Sequence, residues 1–400
     1  MMQVLFSQFS KILREETAGQ ESKLKHILHT EELMVHGGES GFHNSVDALK
    51  QAHEFLTTGH SEANITTKYD GSPSVIFGHH PTTGRFFVAS KSAFNEAPKI
   101  NYTPEDIDRN HGHAPGLAVK LKQALRHLPK VAPKQGTYQG DIMYGEGDVV
   151  ASNGQHNFTP NTITYSADVD SPEGEKVGSS KFGIVVHTKY NNSIFSPKSG
   201  TGISFNPDTH NFKHHPDVNL IDNKVDNTLL GHTPHNEIMY QNNISAARRA
   251  HKEAPHDTFN AIEPHKEHIS TYVNDTVKNE TEPSVPGYKN FLRYKYGKTI
   301  DKLKRAQSKF GKQKELDAHI QNVEENNPQF ESFFKIHNHI QKAKNALVDS
   351  LSRSQTKFNH SVGGTPTNPE GFVIQNKGIL SKLVNRKEFS RLNFLKSKNR

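Results

Sequence analysis

The spacing of apolar positions changes along the chain, and each change predicts a different kind of structure. Near the start Val4, Leu5, Phe9 and Ile12 share one helical face, and Ala48, Ala52 and Leu56 share another, so residues 1–60 read as a helical segment. Between these runs lies His36-Gly37-Gly38-Glu39-Ser40-Gly41. This glycine-rich turn either joins two helices or cradles a phosphate on its backbone N–H groups. From Asn64 the texture becomes that of strands. Asn64–Tyr69, Ser74–Gly78 and Arg85–Ser90 are short and β-branched or aromatic, with turn formers at Asp70-Gly71-Ser72-Pro73 and His79–Gly84, a pattern that predicts a meander. Leu117, Leu121 and Leu125 predict a helix over Leu117–Leu128, and strands resume at Gly136–Tyr144, Asn161–Ser166 and Lys181–Tyr190.

After Tyr190 the chain turns rich in Asn, His, Pro and Lys until about residue 235. Helical stripes follow: Leu303, Ala306 and Phe310 in one, and Ile336, Ile340, Ala343, Leu347 and Leu351 in another. Gly363-Gly364-Thr365-Pro366 closes this region, and strand-like pieces at Gly371–Gln375 and Ile379–Asn385 lead into a basic tail with Arg386, Lys387, Arg391, Lys396, Lys398 and Arg400. Strands and helices occur in separate runs, which predicts α+β with antiparallel sheets.

Composition narrows the chemistry. At 400 residues the chain predicts two or three folding units, and 32% apolar content leaves little for a second large core. The absence of cysteine excludes disulfides, Cys-ligated zinc, iron–sulfur clusters and a thiol nucleophile. No apolar run approaches the roughly 18 residues of a membrane span, and the N-terminus turns polar too soon for a signal peptide, so a soluble cytoplasmic protein is expected. The net charge of +7 favours an anionic partner only where it is clustered. Histidines are abundant, 26 in all: His210, His214, His215, His232 and His235 lie in the polar region, with His251, His256, His265 and His268 beyond it. They read either as a solvated surface or as a histidine–carboxylate zinc site, although no closed ligand spacing is present.

The sharpest local signal is Thr67-Lys68-Tyr69-Asp70-Gly71, at the end of a strand and entering a turn. A nucleophilic lysine needs its neutral amine, which burial or neighbouring cations promote. Asp70, two residues on, leaves an extended chain on the same side as Lys68, where it would orient the amine or hold a metal. The alternative is a surface salt bridge beside a hairpin. Four further pieces follow in order: Gly140-Asp141, Lys181-Phe182-Gly183-Ile184-Val185-Val186-His187, Glu370-Gly371-Phe372-Val373-Ile374 and Lys382-Leu383-Val384.

In this order the pieces resemble the covalent nucleotidyltransferases: DNA ligases, RNA ligases and mRNA-capping enzymes. The resemblance covers about residues 60–190 and 369–390. It implies an antiparallel-sheet nucleotidyltransferase core, ATP-grasp-like, in pieces at 61–190 and 369–400, with a helical segment at 1–60 and a mainly helical insertion at 191–368. It also implies that Lys68 forms a lysyl–AMP phosphoramidate and that Asp70 positions it. By the same resemblance Asp141 approaches the ribose, Phe182 stacks on the base, Glu370 engages Mg²⁺ or Mn²⁺ with Asp70, and Lys382 meets the α-phosphate, with Thr67 beside the nucleotide. Two positions depart from the family. Lys91 stands in Ala89-Ser90-Lys91-Ser92 where an arginine is usual, and Val384 takes the place of a second lysine, for which Lys377 or Arg386 would compensate. About ten residues follow Arg391, too few for the OB-type domain of DNA ligases and capping enzymes. The layout is therefore similar to phage-type RNA ligases, and implies ATP as substrate and nucleic acid as partner, RNA over DNA. Two alternatives stay open: the same fold binding nucleic acid without ligation, or nucleotidyl transfer to a protein or small molecule.

Overall fold

The computed structural model describes residues 27–95, 97–190, 195, 203–205, 211–225, 236–353 and 357–388. The expected N-terminal stripe of Val4 to Ile12, His210, His232 and His235, and the tail from Arg391 lie outside the described residues. The chain is mixed α+β with mainly antiparallel sheets and no barrel. It runs α1 (Leu33–Thr58), β1 (Asn64–Lys68), β2 (Ser74–His79), β3 (Phe86–Ala89), α2 (Pro104–His111), α3 (Pro115–His127) and β4 (Thr137–Tyr144). Next come β5 (Val150–Ser152), β6 (Gln155–Phe158), β7 (Thr164–Asp168), α4 (Pro172–Ser179), β8 (Phe182–Tyr190), β9 (Ile203–Phe205) and β10 (Val218–Leu220). Helices α5 (Glu237–Glu253), α6 (Thr258–Ile262), α7 (Lys266–Lys278), α8 (Val285–Lys302), α9 (Ala306–Glu325) and α10 (Asn327–Arg353) follow. Strands β11 (Asn359–Val362), β12 (Thr365–Pro366), β13 (Gly371–Asn376) and β14 (Ile379–Leu383) end the described fold.

These elements divide into two compact units. The strand-rich unit takes Tyr69–Asn223 and Thr356–Pro369. One of its sheets is ordered β10-β8-β4-β2-β3 with β9 on β8, and the other β12-β11-β7-β6-β5. Val75, Phe77, Val88, Tyr138, Ile142, Phe182 and Ile184 pack there with Leu121 and Leu128 from α3 and the turn after it. Local signals set its helices: Thr103 and Asp106 form a reciprocal capping box before α2, with Pro104 at its first position.

Among the described residues the helix-rich unit takes 27–68, 224–225, 236–353 and 370–388. Its three-stranded sheet, β1-β13-β14, lies with α1 and α5 to α10 around one core that includes Leu49, Ile65, Phe333, Phe334, Ile340, Phe372 and Leu383. Each such side chain contributes about 1.5–3 kcal/mol when fully buried.

This division departs from the boundaries expected at 61–190, 191–368 and 369–400. Strand β1 and the last two strands belong with the helices, while 211–223 and 357–369 belong with the strand-rich sheets. The physical reason is the side-chain alternation: Ile65, Phe372, Ile374 and Leu383 all bury in the helical core. For the same reason the expected meander is only half formed. Strands β2 and β3 make a hairpin, but β1 pairs with β13. The stripe expected through Leu303, Ala306 and Phe310 also fails, because Leu303 lies between α8 and α9 and Phe310 is 72% exposed. Among the described residues no helix is long and apolar enough to cross a membrane.

Candidate active site

Residues directly opposite in an antiparallel sheet project from the same face, and neighbours along a strand from opposite faces. In the helix-rich unit Lys68 pairs with Gly371, Thr66 with Val373, and Val373 with Lys382. Lys68, Thr66, Val373 and Lys382 therefore share one face. The other carries Ile65, Thr67, Phe372, Ile374 and Leu383, whose apolar members fill the helical core. Burying that apolar set in the helical core is what turns the two lysines to the opposite face of the sheet.

Glu370 immediately precedes β13. Its Oε2 lies 2.5 Å from Lys68 Nζ, closing a link across 302 positions of sequence. The two side chains are 26% and 11% exposed, so the pair is shielded without being sealed. Gly371 makes this approach possible. Its φ of 147° disfavours a side chain, and a Cβ there would meet the Leu383 carbonyl oxygen at 2.5 Å. Burial, reinforced by the Lys68 ammonium, holds the Lys382 amine below the ordinary lysine range, and Glu370 opposes that shift. Two amines and one carboxylate thus meet on one face.

Behind Lys382 the chain segment before α1 lies along β14. The Lys382 N–H donates to the Leu28 carbonyl at 2.8 Å, and Thr30 Oγ1 donates to the Lys382 carbonyl at 3.1 Å. Next to it Glu31 and Lys344, both wholly buried, pair at 2.7 Å. Burial alone would raise the Glu31 pKa, but Lys344, His29 and Arg386 outweigh it and pull it down to about 2. Burial also lowers the Lys344 amine, against the pull of Glu31. The pair is ionised, with Arg386 supplying a second cation 3.9 Å from the same Glu31 oxygen. Sequence reasoning missed Glu31, Glu32 and Lys344, and no local signal marks partners 313 positions apart.

The other expected site residues fare differently. Thr67 faces the core, opposite to Lys68, and is 6% exposed; strand alternation alone carries this correction to its expected nucleotide role. Arg386 is buried and structural: Nη1 holds Glu32 Oε1 at 2.8 Å and Nη2 donates to Asn274 Oδ1, which removes it as a substitute phosphate ligand. Lys377 sits in the β13–β14 turn at φ 48°, paired with Asp47 at 2.8 Å. The register puts that turn at the far end of the hairpin from Gly371, so Lys377 is no substitute either.

Four more lie in the strand-rich unit. The buried Asp70 carboxylate accepts from Asn161 Nδ2 at 2.8 Å, Thr162 N at 2.8 Å and Ile163 N at 3.1 Å. These donors engage both oxygens, so Asp70 anchors the loop around residues 161–163. Phe182 has no exposed surface; it packs in the core with its ring stacked on His127, which leaves no face for a base. Asp141 on β4 is partly exposed, its Oδ1 3.4 Å from His187 Nε2. Lys91 is exposed at the start of a 3₁₀ turn, Lys91–Phe94.

The glycine-rich turn is a helix–helix connection, since α1 is two helical segments joined at Gly38 with φ 58°. Among the described residues four histidines, His111, His127, His265 and His337, are buried rather than on the surface. His265 bridges the Tyr288 hydroxyl at 2.9 Å and Asn322 Oδ1 at 3.0 Å, and His268 lies between Lys295 and Tyr296. Among the described residues, three metal-ligating side chains meet only at Glu39, His43 and His251, with donor atoms within 4.8 Å of one another, and neither carboxylate nor rings there are sequestered from solvent.

Residues 24–398 match a family of unknown function, DUF6267, and the chain belongs to that family. No curated protein and no solved structure matches it.

Proposed function

We propose that the chain is an ATP-dependent nucleotidyltransferase that works through a covalent lysyl–AMP on Lys68, and that it serves to ligate polynucleotide ends, RNA above DNA. The observation that carries this reading is the Lys68–Glu370 pair at 2.5 Å, on the face that also bears Lys382. An amine that attacks an α-phosphate must first lose a proton, and Glu370 Oε2 is within reach to take it. The N–P bond to Lys68 then forms as the bond to pyrophosphate breaks. Lys382 is placed on the same face to meet the charge that spreads over the phosphate oxygens. In the second step the phosphoramidate bond breaks and AMP passes to a 5′-phosphate end.

The donor set suits Mg²⁺, which binds through one or two carboxylates together with substrate phosphates and keeps several waters. Glu370 would hold it, whereas the Asp70 carboxylate is already engaged by three N–H donors. The ion would supply charge neutralisation at the phosphates.

The test is incubation of the protein with α-labelled ATP and Mg²⁺, followed by a denaturing gel. An acid-labile labelled band is expected, lost in Lys68→Ala and reduced at least about a hundredfold in Glu370→Gln. No band with any nucleoside triphosphate, or a band that survives Lys68→Ala, sinks the reading. Addition of 5′-phosphorylated RNA, nicked duplex or neither then reports the acceptor.

A further inference from the structure

The chain's positive charge is concentrated in one place. Between Lys289 and Lys314 ten lysines and arginines face a single acid, Asp301, a net of +9, whereas the whole chain carries +7. The remaining residues therefore sum to −2. This stretch forms α8, a three-residue link and α9. The pairs Lys289–Glu324 at 3.2 Å and Tyr296–His319 at 5.8 Å show that the two helices run antiparallel. Their inner side is already used, since Tyr288, Leu292, Tyr296 and Leu316 bury in the core of the helix-rich unit.

What faces out is cationic and aromatic. Lys298, Lys302, Lys304, Arg305, Lys309 and Lys314 are exposed and make no ion pair among the described residues. Tyr294, Lys298 and Lys302 recur at i, i+4 and i+8 on one outer stripe of α8, with the Lys298 ammonium 4.2 Å above the Tyr294 ring. Tyr294 is 61% exposed and Phe310 72%. Like charges at this spacing repel within a helix. A solvated helix face ordinarily intersperses acids, and here they are missing over three turns.

We propose that the outer face of the α8–α9 hairpin binds single-stranded nucleic acid, with phosphates on the lysines and arginines and bases stacked on Tyr294 and Phe310. Cations that track a backbone, interleaved with exposed rings that accept any base, are what a strand without sequence preference requires. A membrane surface fits less well, because an interfacial helix needs a continuous apolar face and this hairpin has spent its own on the core. The proposal stands apart from the Lys68 chemistry and is measured without ATP, so either can fail alone.

The test is fluorescence anisotropy of the full chain with a labelled 20-nucleotide oligouridylate, and with single-stranded DNA, between 50 and 200 mM salt. Neutralising about six phosphates gives a slope of log Kd against log salt of about 4. Reversing Lys298, Lys302, Lys304 and Arg305 to Glu together should weaken binding by more than about tenfold and lower that slope by about 3. Tyr294→Ala and Phe310→Ala should each cost about tenfold. Reversing four exposed lysines elsewhere (Lys50, Lys134, Lys189 and Lys335) should change affinity by less than about threefold. Circular dichroism checks that each variant is folded. Equal losses in the two reversal sets, no binding at all, or capture by phosphatidylserine vesicles that excess oligonucleotide does not reverse would overturn the proposal.

Discussion

Side-chain direction decides which residues of a motif come together. Lys68 and Thr67 are neighbours, yet one joins Glu370 and the other enters the core. A motif records the order of residues, and the period of two in a strand records their faces. The Lys68–Glu370–Lys382 grouping was legible because its members come from short motifs in a fixed order. Asp70 and Phe182 were not, because what occupies them comes from residues far from either motif: Asn161 to Ile163 around the carboxylate, His127 against the ring. Phe182→Ala is accordingly expected to cost about 3–5 kcal/mol of stability in urea unfolding. The Lys68 adduct per folded molecule should stay unchanged for ATP at saturation. Loss of the adduct with undiminished stability would return Phe182 to a base-stacking role.

Elements in this chain were easier to read than their partners. The strands at β2, β4, β8 and β13 fall within a residue or two of their expected limits, since apolar alternation and turn residues are local signals. Pairing was not legible: β1 sits five residues before β2 in sequence and joins β13 instead. The same holds for the join between the segment before α1, α10 and the helical residues after β14, made by Glu31, Lys344 and Arg386. Removing one member of a buried ion pair leaves its partner charged and unsolvated, a loss of about 3–5 kcal/mol. Lys344→Met is expected to lose about that much in urea unfolding. Glu31→Leu combined with Lys344→Met should recover a large part of it, because no orphan charge remains. A double variant as unstable as the sum of the two single variants would contradict this account.

At the scale of the molecule, histidine and charge take on meaning. Burial holds His265, His268 and His360 down at about 4, so these rings are neutral in the fold. Unfolded, they titrate near 6.5. Their contribution is thus complete above about pH 6.5 and is lost as pH falls towards 4, each adding a slope of up to about 1.4 kcal/mol per pH unit. The Glu31 contribution is lost lower down, between its unfolded value and about 2. A melting temperature that declines steadily from pH 7 to pH 5 is expected in thermal scans; a flat profile would show that the histidines titrate alike in both states. The uneven charge was also open to a running count along the sequence. A total of +7 conceals it, since the stretch from Lys289 to Lys314 outweighs everything else.

The pairing of β1 with β13 bears on how the protein is made. A ribosome adding about 5–20 residues per second needs roughly 15–60 s to travel from Lys68 to Glu370, 302 positions later. Until β13 emerges, β1 lacks its ladder partner and Lys68 lacks Glu370. The newborn chain therefore carries Lys68 without Glu370, and the pair forms only once the hairpin that follows Glu370 has closed.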